Sequence, residues 1–389
     1  MRREVLSEKA EEMAHFVVVA GEPSGDVLGA KLISDLKRIN PNHQFSGIAG
    51  PLMIAEGCDP WFNISDLSVM GLIEVVKHLP RILGIRKTVI EKVKSLEPDA
   101  YIGIDYPEFN LSIERALKKR KIKTIQMVCP SFWAWREARA NKFESAIDLM
   151  LCLFPFEPRL LEKKNVKAEF IGHPLADEIE IEIEERNKSV SNNELLNIAL
   201  LPGSRRKEIE YHLEVMLDAA LIIQEKLSST SKECIFSIPT RFNEMDDWIR
   251  SYGKFDKLNI SILKDTSECL PNSDLVITKS GTSTLESALY KKKTIVVYKM
   301  SPTSFFLLTR LNLINVSYAS LPNILLGYDF FKELIQNDFK ADNISNEAIQ
   351  LLEIDSNGYS DPLIKMHRDL QTPNEEGAAF AITRFLGLS

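Results

Sequence analysis

The feature that most constrains the fold is an uninterrupted apolar run at 16–20 that ends in a glycine-bearing turn and leads into a helical pattern. A strand that is apolar on both sides is buried on both faces, as in a parallel sheet covered by helices. The turn from Gly21 to Asp26 precedes apolar residues at helical spacing, which gives the strand–turn–helix order of a βαβ unit. This stretch therefore predicts an α/β fold with a doubly wound sheet.

The same pattern recurs along the chain and predicts two successive sheets. Further strands of the first half are expected at 45–50, 101–105, 124–130, 149–154 and 168–172. Strands of the second half are expected at 197–201, 234–239, 259–263, 274–281 and 294–300. Strands that alternate with helices in this way are typical of Rossmann-like domains, here two that face a cleft.

Charge runs with Ser and Asn at 176–196 mark the expected connection between the two halves. The predicted division is an N-terminal domain at 1–190 and a C-terminal domain at 191–350. The remaining helices, at 351–389, are expected to pack back on the N-terminal domain.

Composition excludes several classes of protein. Of the 389 residues 44% are apolar and 26% charged, and the net charge of −7 provides no global basic field for nucleic acid. The five cysteines are scattered without a C-x-x-C pair, which argues against disulfides or zinc and fits a reducing cytoplasm. No apolar run approaches the ~18 residues of a membrane span, and the charged N-terminus lacks a secretory apolar region.

The stretch LLPGSRRKEIE at 200–210 predicts an anion site. A buried strand reaches a sharp turn at Gly203, and a helix is expected to open with Ser204 as its N-cap. Backbone N–H groups and the positive helix end would then converge on one point. Arg205 and the arginine after it are unfavourable at a helix start, so an anion is the expected occupant. The alternative is an ordinary strand–turn–helix with two solvated arginines.

A second strand-to-helix turn, KSGTSTLESA at 279–288, predicts a further part of this site. Hydroxyl groups and helix N–H groups there could hold a diphosphate, and the acid that follows suits the hydroxyls of a ribose. A loop asparagine in SLPN is a further candidate ligand. The alternative is a Ser/Thr-rich helix cap. The predicted nucleotide-binding residues beyond 200–210 are Ser280, Gly281, Thr282, Thr284, Glu286 and Asn323.

In the first half, Asp105 ends the strand YIGID at the edge where open α/β sheets bind ligands. Its carboxylate could remove a proton from an attacking hydroxyl, or it could simply cap a turn. Glu22, Ser24 and Asp26 follow a neighbouring strand and could orient an acceptor. Trp133 and Trp135 lie beside arginines in PSFWAWREARA and could contact the acceptor or be core aromatics.

A third feature is an amphipathic stretch at 69–83, which is apolar on one broad helical face with cations nearby. Such a face suits an anionic membrane interface, although a core-facing helix gives the same pattern. The residues of this face are Ile73, Val75, Val76, Leu79, Ile82 and Leu83. No metal site is expected, because the chain has neither Asp-x-Asp nor paired histidines at ligand spacing.

Ten motifs together resemble the lipid-A-disaccharide synthase family, in register from about residue 16 to about residue 336. They are AGEPSGDVLGA, GIAGP, VMGLIEV, GIDYPEFN, PSFWAWR, PFE, IGHPLAD, LLPGSRRKEIE, SGTSTLE and SLPN. The resemblance implies a two-domain GT-B glycosyltransferase that is inverting, independent of metal and without a cofactor. It implies transfer of diacylglucosamine from UDP to 2,3-diacylglucosamine 1-phosphate (lipid X), which yields a β-1′,6-linked disaccharide and UDP, at the cytoplasmic face of the inner membrane.

The resemblance also implies roles for particular residues. Asp105 is the family's essential acid and its expected base, Arg205 is expected on the UDP diphosphate, and the apolar face at 73–83 is expected at the bilayer. Tyr106 and Lys279 depart from the family pattern. Rival interpretations are a peptidoglycan-type UDP-GlcNAc transferase, a UDP-sugar 2-epimerase and a noncatalytic carrier. The oligomeric state is open, with a homodimer possible.

Overall fold

The computed structural model describes residues 13–67, 72–134, 137–181, 195–240, 243–300, 317–373 and 377–388, except for the side chains at 72–78, 137–139, 243–245 and 356–357. Two compact units divide the chain. Unit 1 holds the residues up to His173 and those from Thr372, and unit 2 is Pro174–Gln371.

Unit 1 is built on a seven-stranded parallel sheet in the order β3-β2-β1-β4-β5-β6-β7. Its strands are β1 His15–Ala20, β2 Gln44–Ala49, β3 Asp59–Asn63, β4 Ala100–Ile104, β5 Thr124–Met127, β6 Leu149–Cys152 and β7 Ala168–Phe170. Its helices are α1 Pro23–Ile39, α2 Pro51–Ala55, α3 Leu72–Leu96, α4 Pro107–Lys118, α5 Glu157–Glu162 and, from the end of the chain, α15 Ala378–Leu386. Short 3₁₀ turns lie at Ile64–Asp66 and Glu137–Lys142.

Strand β1 explains why the sequence builds this layered unit. Phe16, Val18 and Ala20 point into a core shared with α1 and α15, while Val17 and Val19 point into a second core with α3 and α4. All five side chains are fully buried. A strand apolar on both sides must be covered by helices on both faces, as the opening of the sequence predicts.

Unit 2 is a six-stranded parallel sheet in the order β10-β9-β8-β11-β12-β13. Its strands are β8 Leu195–Leu201, β9 Glu233–Pro239, β10 Ile260–Leu263, β11 Leu275–Lys279, β12 Lys293–Tyr298 and β13 Lys332–Ile335. Its helices are α6 Pro174–Glu178, α7 Arg206–Ser228, α8 Asn243–Arg250, α9 Thr266–Cys269, α10 Thr282–Leu289, α11 Leu321–Leu326, α12 Ala341–Glu353, α13 Ser356–Tyr359 and α14 Asp361–Leu370. Short 3₁₀ turns lie at Phe255–Lys257, Leu270–Asn272 and Gln336–Asp338.

The predicted doubly wound α/β class is confirmed, with three local differences. The sequence did not predict β3 (DPWFN) or β13 (KELI), two edge strands that are short and only partly buried. Helix α7 begins at Arg206 with Arg205 in the N-cap position, one residue later than expected, because Arg205 keeps an extended backbone.

The unit boundaries also differ from the predicted divisions at 190 and 350. Helices α6 and α14 both pack on α10, so both belong to unit 2. The Nε2 atom of His367 on α14 lies 2.8 Å from the carbonyl oxygen of Ala176 on α6. Only the segment from Thr372 joins unit 1, where Ala379, Ala381 and Ile382 of α15 enter the core.

Asp26 has a structural role that differs from the predicted acceptor contact. Its carboxylate is 3% exposed and accepts three hydrogen bonds of 3.0 Å, from the backbone N–H groups of Gly50, Leu52 and Met53. These are donors at the start of α2 that the helix itself cannot satisfy. Asp26 therefore caps α2 from the neighbouring helix α1.

Replacement of Asp26 by alanine is expected to destabilise the protein by about 1–3 kcal/mol, because three N–H groups at the start of α2 lose their acceptor. Urea unfolding followed by circular dichroism measures the change. The matched control is Asp35→Ala on the same helix. The Asp35 carboxylate pairs with Lys31 and Arg38 at the surface. Its removal is expected to lower stability by less than about 0.5 kcal/mol. Equal losses in the two variants would contradict the capping role.

Candidate functional site

Asp105 lies at the topological switch point of the unit 1 sheet. β1 and β4 are neighbours there, and the strand order runs outward in opposite directions on either side of them. Open parallel sheets bind ligands at the carboxyl edge of such a point. Asp105 directly follows β4, and Glu22 and Ser24, both exposed, follow β1. The predicted base Asp105 and the predicted acceptor residues Glu22 and Ser24 are thus placed at one sheet edge, whereas Asp26 points away into its cap.

The backbone at Asp105 is held in an unusual conformation. Asp105 and Tyr106 have φ angles of 51° and 45°, so two consecutive non-glycine residues are left-handed. Such residues cost of order 1–3 kcal/mol each and persist only where surrounding contacts hold them. The carbonyl oxygen of Asp105 accepts hydrogen bonds from Asn110 Nδ2 at 2.9 Å and Gln126 Nε2 at 3.1 Å. These bonds fix the loop that presents the Asp105 carboxylate.

The surroundings of Asp105 favour a proton acceptor of raised basicity. Burial raises the pKa of its carboxyl, the Tyr106 backbone N–H lowers it, and the nearby charge of Glu108 raises it, with a net shift upward. The Tyr106 ring packs over the β1 turn, since a Cβ on Gly21 would lie only 2.5 Å from Tyr106 Cδ1. Tyr106, which departs from the family pattern, therefore closes one side of this edge.

Trp133 is held by an acid that the sequence reasoning did not single out as a site residue. Its indole Nε1 donates a 3.0 Å hydrogen bond to Glu157 Oε1, and the backbone N–H of Phe154 donates to Glu157 Oε2 at 3.2 Å. The Trp133 ring makes an edge contact with Phe156, with centroids 5.0 Å apart. Trp133 is thus partly buried in an aromatic cluster. Trp135 lies outside the described residues.

Within the described ranges, one group of possible metal ligands lies together: the atoms of Cys129, Cys152 and Glu157 fall within 4.8 Å of one another. Burial raises the pKa of Glu157 to about 7, and that of the Cys152 thiol also rises, chiefly through burial. Glu157 already accepts the Trp133 and Phe154 N–H groups, so these residues satisfy one another. The expectation that no metal takes part in function stays a prediction.

The switch point of unit 2 brings the two predicted nucleotide-binding turns side by side. β8 and β11 are neighbours in the sheet, so the turn at 202–205 and the turn at 280–281 share one edge. Gly203 has a φ of 124°, a left-handed region that favours glycine. Two glycine turns, each leading into a helix, thus lie at one sheet edge, an arrangement that is typical of phosphate-binding sites, and phosphate binding here stays a prediction.

Glu208 occupies the centre of this edge and is the residue that the sequence reasoning missed. Its Oε2 accepts from the Ser204 backbone N–H at 3.2 Å, and its Oε1 accepts from Lys279 Nζ at 3.1 Å and lies 3.6 Å from an Arg205 nitrogen. Burial raises the pKa of Glu208, but Lys279, Ser204 and Arg205 outweigh it, so the net pKa is lowered. The sequence did contain a signal for this role: Glu208 is the third residue of α7, a position at which an acid commonly accepts hydrogen bonds from the N–H groups just before the helix.

The remaining predicted nucleotide residues divide between exposed and internal positions. Gly281 and Thr282 are exposed at the start of α10. The Ser280 hydroxyl donates to the Ala319 carbonyl at 2.5 Å, and the fully buried Thr284 hydroxyl donates to the Gly281 carbonyl at 2.8 Å. The prediction that the hydroxyls of Ser280 and Thr284 contact a diphosphate is therefore corrected, because both groups hold the turn itself.

Asn323 also differs from its predicted role. It is fully buried, and its Oδ1 accepts from the N–H groups of Phe330 and Phe331 while its Nδ2 donates to the Phe331 carbonyl at 2.8 Å. These bonds organise the loop before β13 and leave no exposed atom for a ligand. Glu286 is partly buried and accepts a 2.6 Å bond from Thr266 Oγ1, so its assignment to the ribose stays a prediction.

The predicted membrane-facing residues lie on α3, and only some of their side chains are described. Leu79 and Leu83 are 46% and 40% exposed, large values for leucine. Ile82 packs against the core of unit 1, which corrects its predicted outward position. The side chains of Ile73, Val75 and Val76 lie outside the described part. None of the helices in the described ranges combines the length and hydropathy that crossing a bilayer requires.

Solved structures of other proteins share this architecture. A calicheamicin glycosyltransferase, CalG4, superposes with a TM-score of 0.60 at 13% identity, covering 97% of this chain and 99% of that one. A putative UDP-N-acetylglucosamine 2-epimerase from Listeria monocytogenes also gives 0.60, at 14% identity and with 96% and 95% covered. At these identities the likeness concerns the fold alone, and it confirms the GT-B class.

Sequence comparison is more specific than the fold. A family model described as lipid-A-disaccharide synthetase matches residues 16–378. The lipid-A-disaccharide synthase of Pseudoalteromonas translucida is 35% identical over 383 residues, which cover 97% of this chain and 99% of that protein. Lipid-A-disaccharide synthase 2 of Legionella pneumophila is 37% identical over 386 residues, with 97% and 98% covered. This chain belongs to the lipid-A-disaccharide synthase family.

Proposed function

We propose that the chain is an inverting glycosyltransferase that joins UDP-2,3-diacylglucosamine to 2,3-diacylglucosamine 1-phosphate, with release of UDP. Family membership over nearly the whole chain supports this reaction class. The single structural observation that carries the mechanism is Asp105, held by two amide hydrogen bonds in a strained loop at a sheet edge. In this proposal the acceptor hydroxyl attacks the anomeric carbon, and Asp105 takes its proton.

Unit 2 would bind the donor through its diphosphate. The backbone N–H groups at the starts of α7 and α10, together with Arg205 and Lys279, provide fixed positive potential at one edge. Charge grows on the diphosphate as the glycosidic bond to UDP breaks, so these donors stabilise the transition state more than the ground state. Each preorganised donor of this kind can contribute about 2.7–4 kcal/mol. A metal ion is not required for this role.

The hydrogen bonds of Glu208 must break for the diphosphate to bind in this way. Its carboxylate now takes the Ser204 N–H and the Lys279 ammonium, the same donors that a phosphate group would use. We infer that the diphosphate displaces Glu208 from these donors, and that Glu208 keeps them paired in the empty enzyme. Its carboxylate is a resident anion that competes with the substrate.

Two rival functions share the fold. A UDP-sugar 2-epimerase needs one substrate and no lipid acceptor, and a peptidoglycan-type transferase uses a different acceptor. The family match favours neither of them. An assay with radiolabelled UDP-diacylglucosamine and lipid X, with the product identified by mass, distinguishes all three. Absence of the disaccharide would refute the proposed function.

The variant Arg205→Ala is expected to lower turnover in this assay by about 10²–10³-fold, because the diphosphate loses a charged donor. The matched control is Arg206→Ala. Arg206 is the adjacent exposed arginine, but it bonds Glu210 and lies over the Trp248 ring. We expect the control to keep turnover within about twofold and both variants to keep their stability within about 0.5 kcal/mol. Equal turnover in the two variants would contradict the diphosphate assignment.

The variant Glu208→Gln is expected to bind UDP about 5- to 10-fold more tightly, because the competing negative charge is removed. Isothermal titration calorimetry measures the affinity, in which a tenfold change corresponds to about 1.4 kcal/mol. Glu210→Gln, two residues along the same helix, serves as the control and is expected to leave UDP affinity unchanged. Weaker UDP binding by Glu208→Gln would instead mean that Glu208 holds Lys279 in place for the substrate.

We also propose that α3 binds the cytoplasmic face of the inner membrane, where both lipid substrates reside. Leu79 and Leu83 expose apolar surface one turn apart, and the Lys87 side chain is 79% exposed on the next turn. An apolar helix face with adjacent cations binds anionic lipid through both burial and charge. Each CH₂ group that enters the bilayer contributes about 0.8 kcal/mol.

The double variant Leu79→Ser/Leu83→Ser is expected to lower partition onto phosphatidylglycerol-containing vesicles by at least about tenfold, because it removes this apolar surface. Vesicle sedimentation measures the partition. The control is Leu52→Ser/Ile54→Ser, which removes two exposed apolar side chains of α2 in the same unit. If both double variants bind vesicles as the unaltered protein does, the assignment of α3 to the membrane fails.

A further inference from the structure

A buried carboxyl group behind Asp105 has no role in the mechanism given so far. Glu114 lies on α4 and is fully buried, and in the described structure neither of its carboxyl oxygens has a hydrogen-bond partner. The side-chain oxygen of Gln126, on β5, is likewise buried without a partner among the described residues. Orphaned buried oxygens are rare in native structures and call for a physical explanation.

Both orphaned oxygens border one small space. The position that a Cβ on Gly103 would take is 2.7 Å from Glu114 Oε1 and 2.8 Å from Gln126 Oε1. Gly103 therefore leaves a space that both side chains approach, which explains the glycine of the GID motif. An ionised carboxylate would face another oxygen here with no donor, which is costly in a buried site. A proton on Glu114 provides the missing donor and satisfies both groups.

Two independent features support the protonated form. Burial raises the pKa of Glu114 well above its usual value. Its interacting titratable neighbour among the described residues is the fully buried Tyr101 on β4, which carries no positive charge and donates its hydroxyl to Asn110 Oδ1 at 2.8 Å. Glu114 thus has no cation among these groups to stabilise an ionised state.

Gln126 links Glu114 to the candidate catalytic loop. Once its oxygen accepts from Glu114, its Nε2 is directed toward the carbonyl oxygens of Asp105 at 3.1 Å, Met127 at 3.0 Å and Val128 at 3.4 Å. Asp105 and Val128 both have left-handed backbones, with φ angles of 51° and 72°. A left-handed conformation is costly for a β-branched residue such as Val128. One side-chain amide therefore contacts two strained loops.

We propose that Glu114, as a neutral carboxylic acid, is a positioning residue that orients Gln126 and thereby fixes Asp105 for proton removal. The inference rests on the proposed role of Asp105 in the transfer reaction. In this role Glu114 cannot be replaced by an apolar side chain of the same size, which would fill the space but could not donate a hydrogen bond to Gln126. Asn110, one turn earlier on α4, adds the second amide bond to the Asp105 carbonyl.

Stability and function should respond differently to the loss of this acid. Replacing a buried polar group by an apolar one of similar size is often neutral or stabilising. Glu114→Met is therefore expected to unfold at the same or higher urea concentration than the unaltered protein. Its kcat is nevertheless expected to fall by about 10- to 100-fold, with the KM for the UDP-sugar unchanged, because Asp105 is less well positioned.

The neutral isostere tests which form of Glu114 acts. Glu114→Gln can donate to the Gln126 oxygen at every pH, so it is expected to retain kcat within about threefold. Gln126→Met is expected to reproduce the loss in Glu114→Met, because it removes the link. If Glu114→Gln is as impaired as Glu114→Met, the ionised form is required and the inference is overturned.

The pH dependence of kcat separates positioning from general damage. The titratable groups near Asp105 include Tyr106 and Glu108, with Glu22 of the β1 turn next to Tyr106, and burial keeps the Asp105 pKa above the ordinary aspartate value. In Glu114→Met a loosened, better solvated Asp105 is expected to move the acidic limb of the profile to lower pH, whereas Glu114→Gln keeps the limb in place. An unchanged limb and kcat in Glu114→Met would overturn the inference.

Infrared spectroscopy detects the protonation state of Glu114 without an activity assay. At about pH 8, where Glu157 with its pKa of about 7 is mostly ionised, the difference spectrum of the unaltered protein minus Glu114→Gln is expected to show a carboxylic acid C=O band. Absence of the band from the unaltered protein would overturn the inference. Full activity in Asp105→Asn would instead refute the role of Asp105 as the base, and absence of the disaccharide would refute the proposed function, even where the band is present, so these failures are distinguishable.

Discussion

The structure depends on one constraint, the burial of parallel strands on both faces. β1 shows it most plainly, since its alternate side chains enter two separate cores. Apolar side chains fill such a strand, so groups that can meet a ligand lie at the turn after its last residue. Ile104 is fully buried and Asp105, the next residue, is partly exposed. The same change occurs in unit 2 between buried Leu201 and exposed Ser204.

The two candidate sites use this edge in opposite electrostatic senses. In unit 2 an acid, Glu208, already pairs with the donors that a diphosphate would need, so the resting site is neutralised by the protein itself. In the proposed mechanism the acid of unit 1 is the reactive group, and burial together with a neighbouring acid raises its pKa. Under this proposal one site exchanges one anion for another, and the other accepts a proton. Family membership gives both features a common purpose in sugar transfer.

Sequence reasoning located the strands well wherever apolar residues were consecutive, because burial on both faces leaves that pattern. It missed β3 and β13, which are short edge strands with only partly buried side chains. It also identified the glycine turns and Asp105, since turn chemistry is local. It could not tell which polar side chains turn inward. Asn323 and Thr284 look like ligands in the sequence, yet both are fully buried and bond to backbone groups of their own loop and turn.

The amino-acid sequence alone determined the doubly wound α/β class, the order of strands and turns, and the family, because these follow from local periodicity and from motifs in register. Only the tertiary structure decided what each polar group contacts. It placed Glu208 among the anion donors, directed Asp26 to the start of α2, and set Glu114 beside Gln126. The physical reason is that a hydrogen bond depends on distances between groups far apart in the chain, and those distances are fixed only when the sheet and its helices have packed.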